Sequence, residues 1–463
     1  MEEQQPDSLE EIQAEINSSK PDFASEINKF IKHIESQADI VPIVMSLISL
    51  KLVQESRHVE QYIKDSGIIE KKKDESTDGD EPKQSKLLVP SDKFKGFIEL
   101  TEKVDKTGLA YQLLPINFVV SFVSQYDAYL GGLIRTMFFA KPELLNGSEK
   151  NILFSELMKF ASIEDAKEFL IEKEVESVLR ESHLKQFKWL ENKLGITLRK
   201  DLPSFSDFIE ITERRNLFVH CNGVVSRQYI DVCRENEVKN IDEIKVGEQL
   251  SAKPEYFNKC YQILFEIGVK LGQVTWRKLI PDEIEKADAH LNNVCYQLLI
   301  KGHNRLALKL LTFATDTIKK HADQEMVCIF TINKALAHYL SNKKEECKKV
   351  LEKHDWSATN DKYKLAIAVL KEESEDAIKL MKSIGSTSKD VTKDAYREWP
   401  LFREFRKTDT FKTAYVEIFE EEFIYVEPKP KNLEDIVSEM QQLKKEALEV
   451  REKENTAPNG DSE

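Results

Sequence analysis

Hydrophobic positions in the middle of the chain repeat with a helical period. Between Tyr126 and Phe138 they fall three or four residues apart, which predicts a helix with one broad apolar face. Pro142 and the Asn146–Gly147 pair are typical of the end of such a helix. The same spacing predicts helices over 163–170, 175–194, 205–219 and 254–279. Residues 91–280 are therefore expected to form an all-α helical bundle.

Residues 281–425 show shorter apolar stretches that come in pairs. One small residue of each second stretch stays in register, namely Ala307, Cys347 and Ala377, which lie 40 and 30 residues apart. Helix-turn-helix repeats have a period of about 34 residues. The region resembles tetratricopeptide repeats, in which a small residue lets paired helices approach closely, and an irregular helical bundle is the alternative. The block 399–419 is expected to cap the last repeat.

Three flanking segments are more polar. Residues 1–68 are expected to be a helical segment around the apolar stretch Ile40–Val53. Residues 69–90 carry dense charge and contain no aromatic residue, so they are predicted to be a disordered linker. Residues 426–463 read as a charged tail.

Composition limits the class of protein. The 463 residues are 41% hydrophobic and 32% charged, with a formal net charge of −14. No uninterrupted apolar run approaches the roughly 18 residues that span a bilayer, and the acidic start is unlike a secretory signal. We therefore expect a cytoplasmic protein with no membrane partner. The six cysteines are scattered without a close Cys/His cluster, so neither disulfides, nor a metal site, nor a cofactor is predicted.

One segment combines residue types that carry chemistry. Residues 210–223 place two arginines, an asparagine and a histidine around an apolar helix end. Asn216 and His220 are four residues apart and share one helix face. Arg215 lies about 140° from His220 around a straight helix. The two groups can therefore converge only if the helix end bends or a second subunit supplies the partner.

This inventory suits cleavage of RNA without a metal. A histidine can move protons to and from the 2′-hydroxyl and the 5′-oxygen, and an arginine can stabilise the phosphate. An asparagine beside them can orient phosphate or ribose. The alternative is structural, because a histidine at a helix end often acts as a cap. Arg214 and Arg215 would then simply pair with Glu210 and Glu213.

The stretch from Arg215 to His220 matches the R-x4-6-H motif of the HEPN family (higher eukaryotes and prokaryotes nucleotide-binding domains), with the preferred polar residue Asn216 after the arginine. The segments 118–145 and 183–229 resemble the helices around that motif, so the resemblance covers about a third of the chain. It implies a homodimeric all-α bundle with a metal-independent endoribonuclease site in the dimer cleft. Family members often act as toxins or in anti-phage defence.

Carried over by position, the resemblance implies roles for named residues. Arg215 would stabilise the phosphate, His220 would transfer protons, and Asn216 would be their polar partner. Arg214 and Asp127 are candidate substrate-binding residues, Asp127 as the acidic group on the first long helix. Some relatives carry a modified tyrosine two residues after the histidine, where this chain has Asn222. Inactive family members exist, so a dimeric scaffold or a nucleotide-sensing protein is the alternative function.

Charge bears on the predicted partners, which are RNA, a second copy of the chain, and a protein or peptide on the repeats. The net charge of −14 opposes RNA binding at long range. Between Thr101 and Glu235, however, 18 Lys and Arg stand against 20 Asp and Glu, so the predicted nuclease region is nearly neutral. No sequence signature of a DNA-binding protein is present, and no DNA partner is expected.

Overall fold

The chain forms an all-α protein in the computed structural model, which describes residues 22–71, 86–147, 152–200 and 202–424. The only sheet in these ranges is a two-stranded antiparallel pair, β1 (Ile69–Lys71) and β2 (Lys86–Leu88). The helices are α1 (Phe23–Asp65), α2 (Phe94–Ala140), α3 (Phe154–Leu157), α4 (Ile163–Leu179), α5 (His183–Leu194), α6 (Phe205–His220), α7 (Arg227–Glu235), α8 (Pro254–Leu279), α9 (Ile284–Ile300), α10 (Asn304–Thr312), α11 (Gln324–Leu340), α12 (Lys344–Leu351), α13 (Asp361–Leu370), α14 (Ser374–Ile384), α15 (Lys393–Glu398) and α16 (Asp409–Phe419).

The first half of α1 belongs to the main core. Its Phe30 ring stacks on Tyr129 of α2 with 4.6 Å between ring centroids. It also lies against Gly268 of α8, where an added Cβ would come within 2.2 Å of the ring. Glycine is therefore required for this close approach of two helices. The segment 1–68, which the pattern separated from the bundle, thus contributes the first half of α1 to the bundle's core, and residues 1–21 lie outside the described ranges.

The second half of α1 pairs with the first half of α2 and leaves much apolar surface exposed. Ile40, Leu50 and Val53 on α1 and Leu109 on α2 are all close to half exposed. Both helices are long and apolar enough, by length and composition alone, to cross a membrane. The absence of an uninterrupted apolar run did not reveal these two helices, because a membrane-spanning stretch of about 18 residues can still contain one or two charged residues. The cytoplasmic location therefore stays a prediction.

Strands β1 and β2 pair antiparallel, with Ile69 opposite Leu88. The two ends of the predicted disordered linker 69–90 are thus regular structure, which corrects that prediction at both ends. Backbone hydrogen bonding between the strands, which a composition argument cannot see, accounts for the difference. The middle of the linker, residues 72–85, lies outside the described ranges, as does the charged tail from residue 425 onward.

Helix α6 carries the motif and is fixed by packing on α2 and α8. Phe208, Ile209 and Ile211 are buried, as the predicted apolar face requires. The helix ends when Gly223, at a φ of +79°, donates its N–H to the Leu217 carbonyl at 2.9 Å. A Cβ there would lie 2.7 Å from the Gln249 amide nitrogen, so the turn requires glycine.

Helices α4 and α5 differ from their predicted bounds. The pattern predicted helices over 163–170 and 175–194, whereas the chain is helical from Ile163 to Leu179 and breaks at 180–182. A capping box at Ser162 begins α4, with the Ser162 hydroxyl and Asp165 carboxylate each accepting a backbone N–H. The break places His183 at the first position of α5, which matters for the site.

The C-terminal region consists of three successive helix pairs, α9/α10, α11/α12 and α13/α14. Each pair is joined by a turn containing one left-handed residue, Gly302, Asn342 or Glu372. In every pair the small residue five positions later, Ala307, Cys347 or Ala377, is fully buried. The turn and the small residue thus recur in one register. Helix α16 packs on α14 and covers the end of the array.

Candidate functional site

The two neighbouring arginines of the motif point into different environments. Arg214 turns inward, and its Nε donates to the Glu210 carboxylate at 2.6 Å. Its guanidinium also lies over the Tyr256 ring, 4.0 Å from the centroid. Only 13% of the Arg214 side chain and 4% of the Glu210 side chain are exposed. Arg214 is therefore held by contacts inside the fold, and its role in substrate binding stays a prediction that these contacts do not favour.

The Glu210 carboxylate is fully occupied. The Tyr229 hydroxyl donates to Oε1 at 2.8 Å, and the Tyr256 hydroxyl donates to Oε2 at 3.1 Å. Burial and the Glu210 charge raise the pKa of both tyrosines far above the usual range. Lys259 lies 3.9 Å from the same carboxylate. We call Glu210, Arg214, Tyr229, Tyr256 and Lys259 the closed cluster, because the Glu210–Arg214 pair and the two tyrosine hydroxyls satisfy one another in a buried site, with Lys259 at its more exposed edge.

Arg215 points about 100° away from Arg214 around α6 and faces α2 and α5. Its NH2 group is 3.5 Å from the Asp127 carboxylate, at the limit of a hydrogen bond, and its NH1 donates to Asn216 at 3.2 Å. The Nε atom is buried without a hydrogen-bond partner in the described chain. With 24% of its side chain exposed, Arg215 keeps donors that its neighbours do not use. The predicted group of Asp127, Arg215 and Asn216 is thus brought together.

His183 joins this group and was missed by the sequence analysis. Its Nε2 is 2.9 Å from Asp127, on the other carboxylate oxygen from the one that faces Arg215. The ring is mostly buried, with its edge against Phe208. The signal was hidden because His183 precedes the motif by more than thirty residues and its helix was predicted to run through that point. We call Asp127, His183, Glu213, Arg215 and Asn216 the open cluster.

Glu213 completes the open cluster one turn from Asn216. Burial raises the pKa of its carboxyl, and this outweighs the opposing effects of His183 nearby and of a hydrogen bond from Asn216. Arg215 makes no ion pair with Glu213 or Glu210 among the described residues. The structural pairing considered for both arginines therefore holds only for Arg214.

His220 is the last residue of α6 and is exposed. In the part of the chain that the structure describes, it makes no hydrogen bond or ion pair. The imidazole and the Arg215 guanidinium do not contact each other within the chain, as the 140° separation on a straight helix predicted. The helix end does not bend to bring them together, because the Gly223 turn begins only after His220.

The open cluster can bind an anion and hold it beside groups that transfer protons. Arg215 supplies fixed positive charge, Asn216 an amide, and Asp127 with His183 a carboxylate–imidazole pair that orients the guanidinium. No group of three or more potential metal ligands is present among the described residues. Of the cysteines, Cys221 next to His220 is exposed and the others are buried.

Comparison with known proteins does not identify the chain. No family model matches it, and no characterised protein and no solved structure is similar to it.

Proposed function

We propose that the protein is a metal-independent endoribonuclease of the HEPN type, acting as a homodimer. The 2′-hydroxyl of the ribose attacks the adjacent phosphate, which leaves a 2′,3′-cyclic phosphate and a free 5′-hydroxyl. Arg215 binds the phosphate, Asn216 orients it, and His220 carries protons. In this proposal the Arg214 side chain has no contact with RNA.

The observation that carries the proposal is the state of Arg215. Its neighbour Arg214 shares the same helix and pairs with a buried carboxylate at 2.6 Å, whereas Arg215 has a single carboxylate at 3.5 Å and an unpaired Nε. A partly buried guanidinium with unused donors gains free energy when an oxyanion completes its hydrogen bonds. Such an arrangement is expected of a phosphate site.

A dimer is needed to complete this site. Because His220 is exposed and lies away from Arg215 on α6, we infer that the His220 of a second copy approaches the Arg215 of the first. An exposed imidazole is also accessible to a flexible RNA loop, and single-stranded loops require few phosphate contacts. A toxin or defence role and cytoplasmic action fit this activity and stay part of the proposal.

The helix pairs are proposed to bind a protein or peptide that controls cleavage, as tetratricopeptide-like repeats do. A cavity of about 330 Å³ is lined by the first helices of the three pairs and by 399–401. Asn333 donates to Asn292 across it at 2.9 Å, and Tyr296 and Tyr363 add aromatic walls. Amide and aromatic side chains together suit a peptide backbone with an apolar anchor.

The test is cleavage of a single-stranded RNA by the purified protein in the presence of EDTA. We expect cyclic-phosphate products, and we expect His220→Asn to lower the rate by about 10²–10⁴-fold, the usual contribution of a general acid or base. Circular dichroism and the sedimentation coefficient should stay unchanged. The matched control is His58→Asn, at an exposed position on α1 far along the chain from the motif.

Three results would contradict this proposal. Cleavage that persists in His220→Asn would exclude this imidazole from proton transfer. A strictly monomeric wild-type protein without cleavage would favour the alternative of a non-catalytic scaffold. Thermal stabilisation by a nucleotide without turnover would instead favour nucleotide sensing.

A further inference from the structure

A cavity of about 890 Å³ lies where the α1–α2 hairpin leaves the core. Its walls come from α1, α2, the segment 249–254, the start of α8 and the turn after the motif helix. The apolar part includes Val41, Met45, Ile116, Leu250 and Phe257. This volume and this mostly apolar wall are in the range of pockets for small organic ligands.

Two prolines give this cavity unusual polar groups. Pro42 lies inside α1 and Pro115 inside α2, and both line the cavity. A proline has no N–H, so neither can donate the usual helical hydrogen bond to the carbonyl four residues earlier. Those carbonyls belong to Ala38 and Tyr111, which also line the cavity. The two proline-containing helices therefore each contribute one backbone carbonyl without its usual helical donor to the residues that line the cavity.

The electrostatic character of the wall favours a ligand that donates hydrogen bonds. Asp39, which follows Ala38 in the chain, also lines the cavity. Burial, together with the charges of Glu35 and Asp39, raises the pKa of the Tyr261 hydroxyl in the same wall. His303 and Lys253 also line the cavity, so the wall is not uniformly acidic. An apolar molecule with an amine or amide N–H can donate to these acceptors, whereas the negative charge of an acid is repelled by the Asp39 carboxylate.

The cavity is coupled to the motif through the turn that follows His220. Asn222 and Gln249 both line it, and the Gln249 amide donates to the Asn222 carbonyl at 2.6 Å. Gly223 is packed against the same Gln249 side chain and the Leu250 carbonyl. A ligand that moves Gln249 therefore moves the turn that positions His220. The link is short, because Leu250 also donates its backbone N–H to the Gly223 carbonyl at 2.9 Å.

We propose that this cavity beside the α1–α2 hairpin binds a small apolar molecule carrying an N–H donor, and that binding of this molecule alters the position of His220. The binding site stands on the cavity itself. Only the second part, the effect on cleavage, rests on the proposed ribonuclease activity.

The probe is N-phenyl-1-naphthylamine, an apolar arylamine that fluoresces when transferred from water to an apolar site. We expect saturable binding of one molecule per chain by the full-length protein. Ser46→Phe fills the cavity from α1 and should weaken binding by about tenfold or more. Ser49→Phe, on the same helix but not in the cavity wall, is the matched control and should bind like the wild type.

Two further measurements test the ligand class and the acceptors. Anilinonaphthalene sulfonate carries the same arylamine plus a sulfonate, and should bind more weakly than the neutral probe. Pro115→Ala restores a donor for the Tyr111 carbonyl, so it should lower the affinity while circular dichroism shows an intact fold. Addition of the neutral probe should change the rate of RNA cleavage in the wild type and not in Ser46→Phe.

Equal binding by Ser46→Phe and Ser49→Phe would overturn the site, since the probe would then bind elsewhere on the exposed hairpin. Tighter binding of the sulfonate would overturn the ligand class. Normal binding of the probe with an unchanged cleavage rate would overturn the coupling. A protein that binds the probe but cleaves no RNA would leave the cavity proposal standing and would count against the proposed function alone.

Discussion

The closed cluster and the open cluster lie on different faces of one helix, and each pairs an arginine with a carboxylate, yet they differ in how those charges are satisfied. In the closed cluster, the Glu210 carboxylate accepts from Arg214 at 2.6 Å and from two tyrosine hydroxyls. In the open cluster, the Asp127 carboxylate lies 2.9 Å from His183 and 3.5 Å from Arg215. One arginine is fully used by the fold, and its neighbour is not.

This difference teaches that residue type and adjacency do not determine the role of an arginine. Successive residues on a helix point about 100° apart, so they meet different neighbouring elements. Arg214 meets α7 and α8, where tyrosines exclude water and supply donors. Arg215 meets α2 and α5. Its one carboxylate partner there is Asp127, which also contacts the His183 ring. A buried charge must be paired within the fold, whereas the partly exposed Arg215 guanidinium keeps donors that a ligand could use.

Removing the acid of the closed cluster should have the largest effect. Glu210→Ala leaves the Arg214 guanidinium buried without its partner, and such losses amount to about 3–5 kcal/mol of stability. Urea denaturation followed by circular dichroism measures this. Glu213→Ala, on the same helix but without an arginine partner, is the control and should change stability much less. Equal losses of stability in the two variants would show that the closed cluster contributes no more to folding than the open cluster does.

The reverse experiment acts on the open cluster. Arg215→Ala should lower RNA cleavage by about 10²–10³-fold, the usual loss when a donor to a developing oxyanion is removed. The free energy of unfolding should fall by less than about 1 kcal/mol, because the ion pair is long and partly exposed. Cleavage assays with matched urea titrations measure both quantities. A large loss of stability with unchanged cleavage would make Arg215 a structural residue like its neighbour.

His183 should have a smaller effect because it acts through Asp127. We expect His183→Asn to lower the maximal cleavage rate by about tenfold with little change in KM, since the guanidinium is less well oriented. Steady-state kinetics well below the melting temperature separates this from unfolding. His33→Asn, at a histidine on α1 that contacts Gln125, is the control and should leave the rate unchanged. A rise in KM with an unchanged maximal rate would assign His183 to RNA binding instead of orientation.

The smallest effect concerns the pH dependence of stability. Burial raises the pKa of Glu213, so the folded protein holds this proton more tightly than the unfolded chain does. Its contribution to stability is therefore present at acidic pH and is lost as the pH rises from the usual glutamate value through the raised one. Glu213→Gln should remove that loss, which urea titrations at several pH values can detect.

Glu172 provides a control of opposite sign. Its hydrogen bonds from Arg135 lower the pKa of its carboxyl, so its contribution is present above the usual glutamate value and is lost as the pH falls. Glu172→Gln should therefore flatten the acid side of the stability curve. The same sign of change in both variants would contradict the assignment of Glu213 to a buried position.

The sequence was sufficient for the helical architecture wherever one face of a helix is buried. The period of the apolar residues gave α8 its bounds of Pro254 and Leu279, because a proline begins it and the apolar stripe continues without interruption. It failed at residues 180–182, where the chain leaves one helix and begins the next without glycine or proline. It also failed at residues 69–71 and 86–88, since strand pairing depends on a distant segment.

For the site, the sequence determined which residue types lie on α6 and at what angle to one another, because helix geometry fixes both. The spacing of five residues alone therefore separates Arg215 from His220 around the helix axis. Only the tertiary structure decided which arginine is buried against tyrosines and which faces Asp127. It alone brought His183 to that carboxylate, because contacts between distant segments depend on how the helices pack and leave no mark in the local pattern.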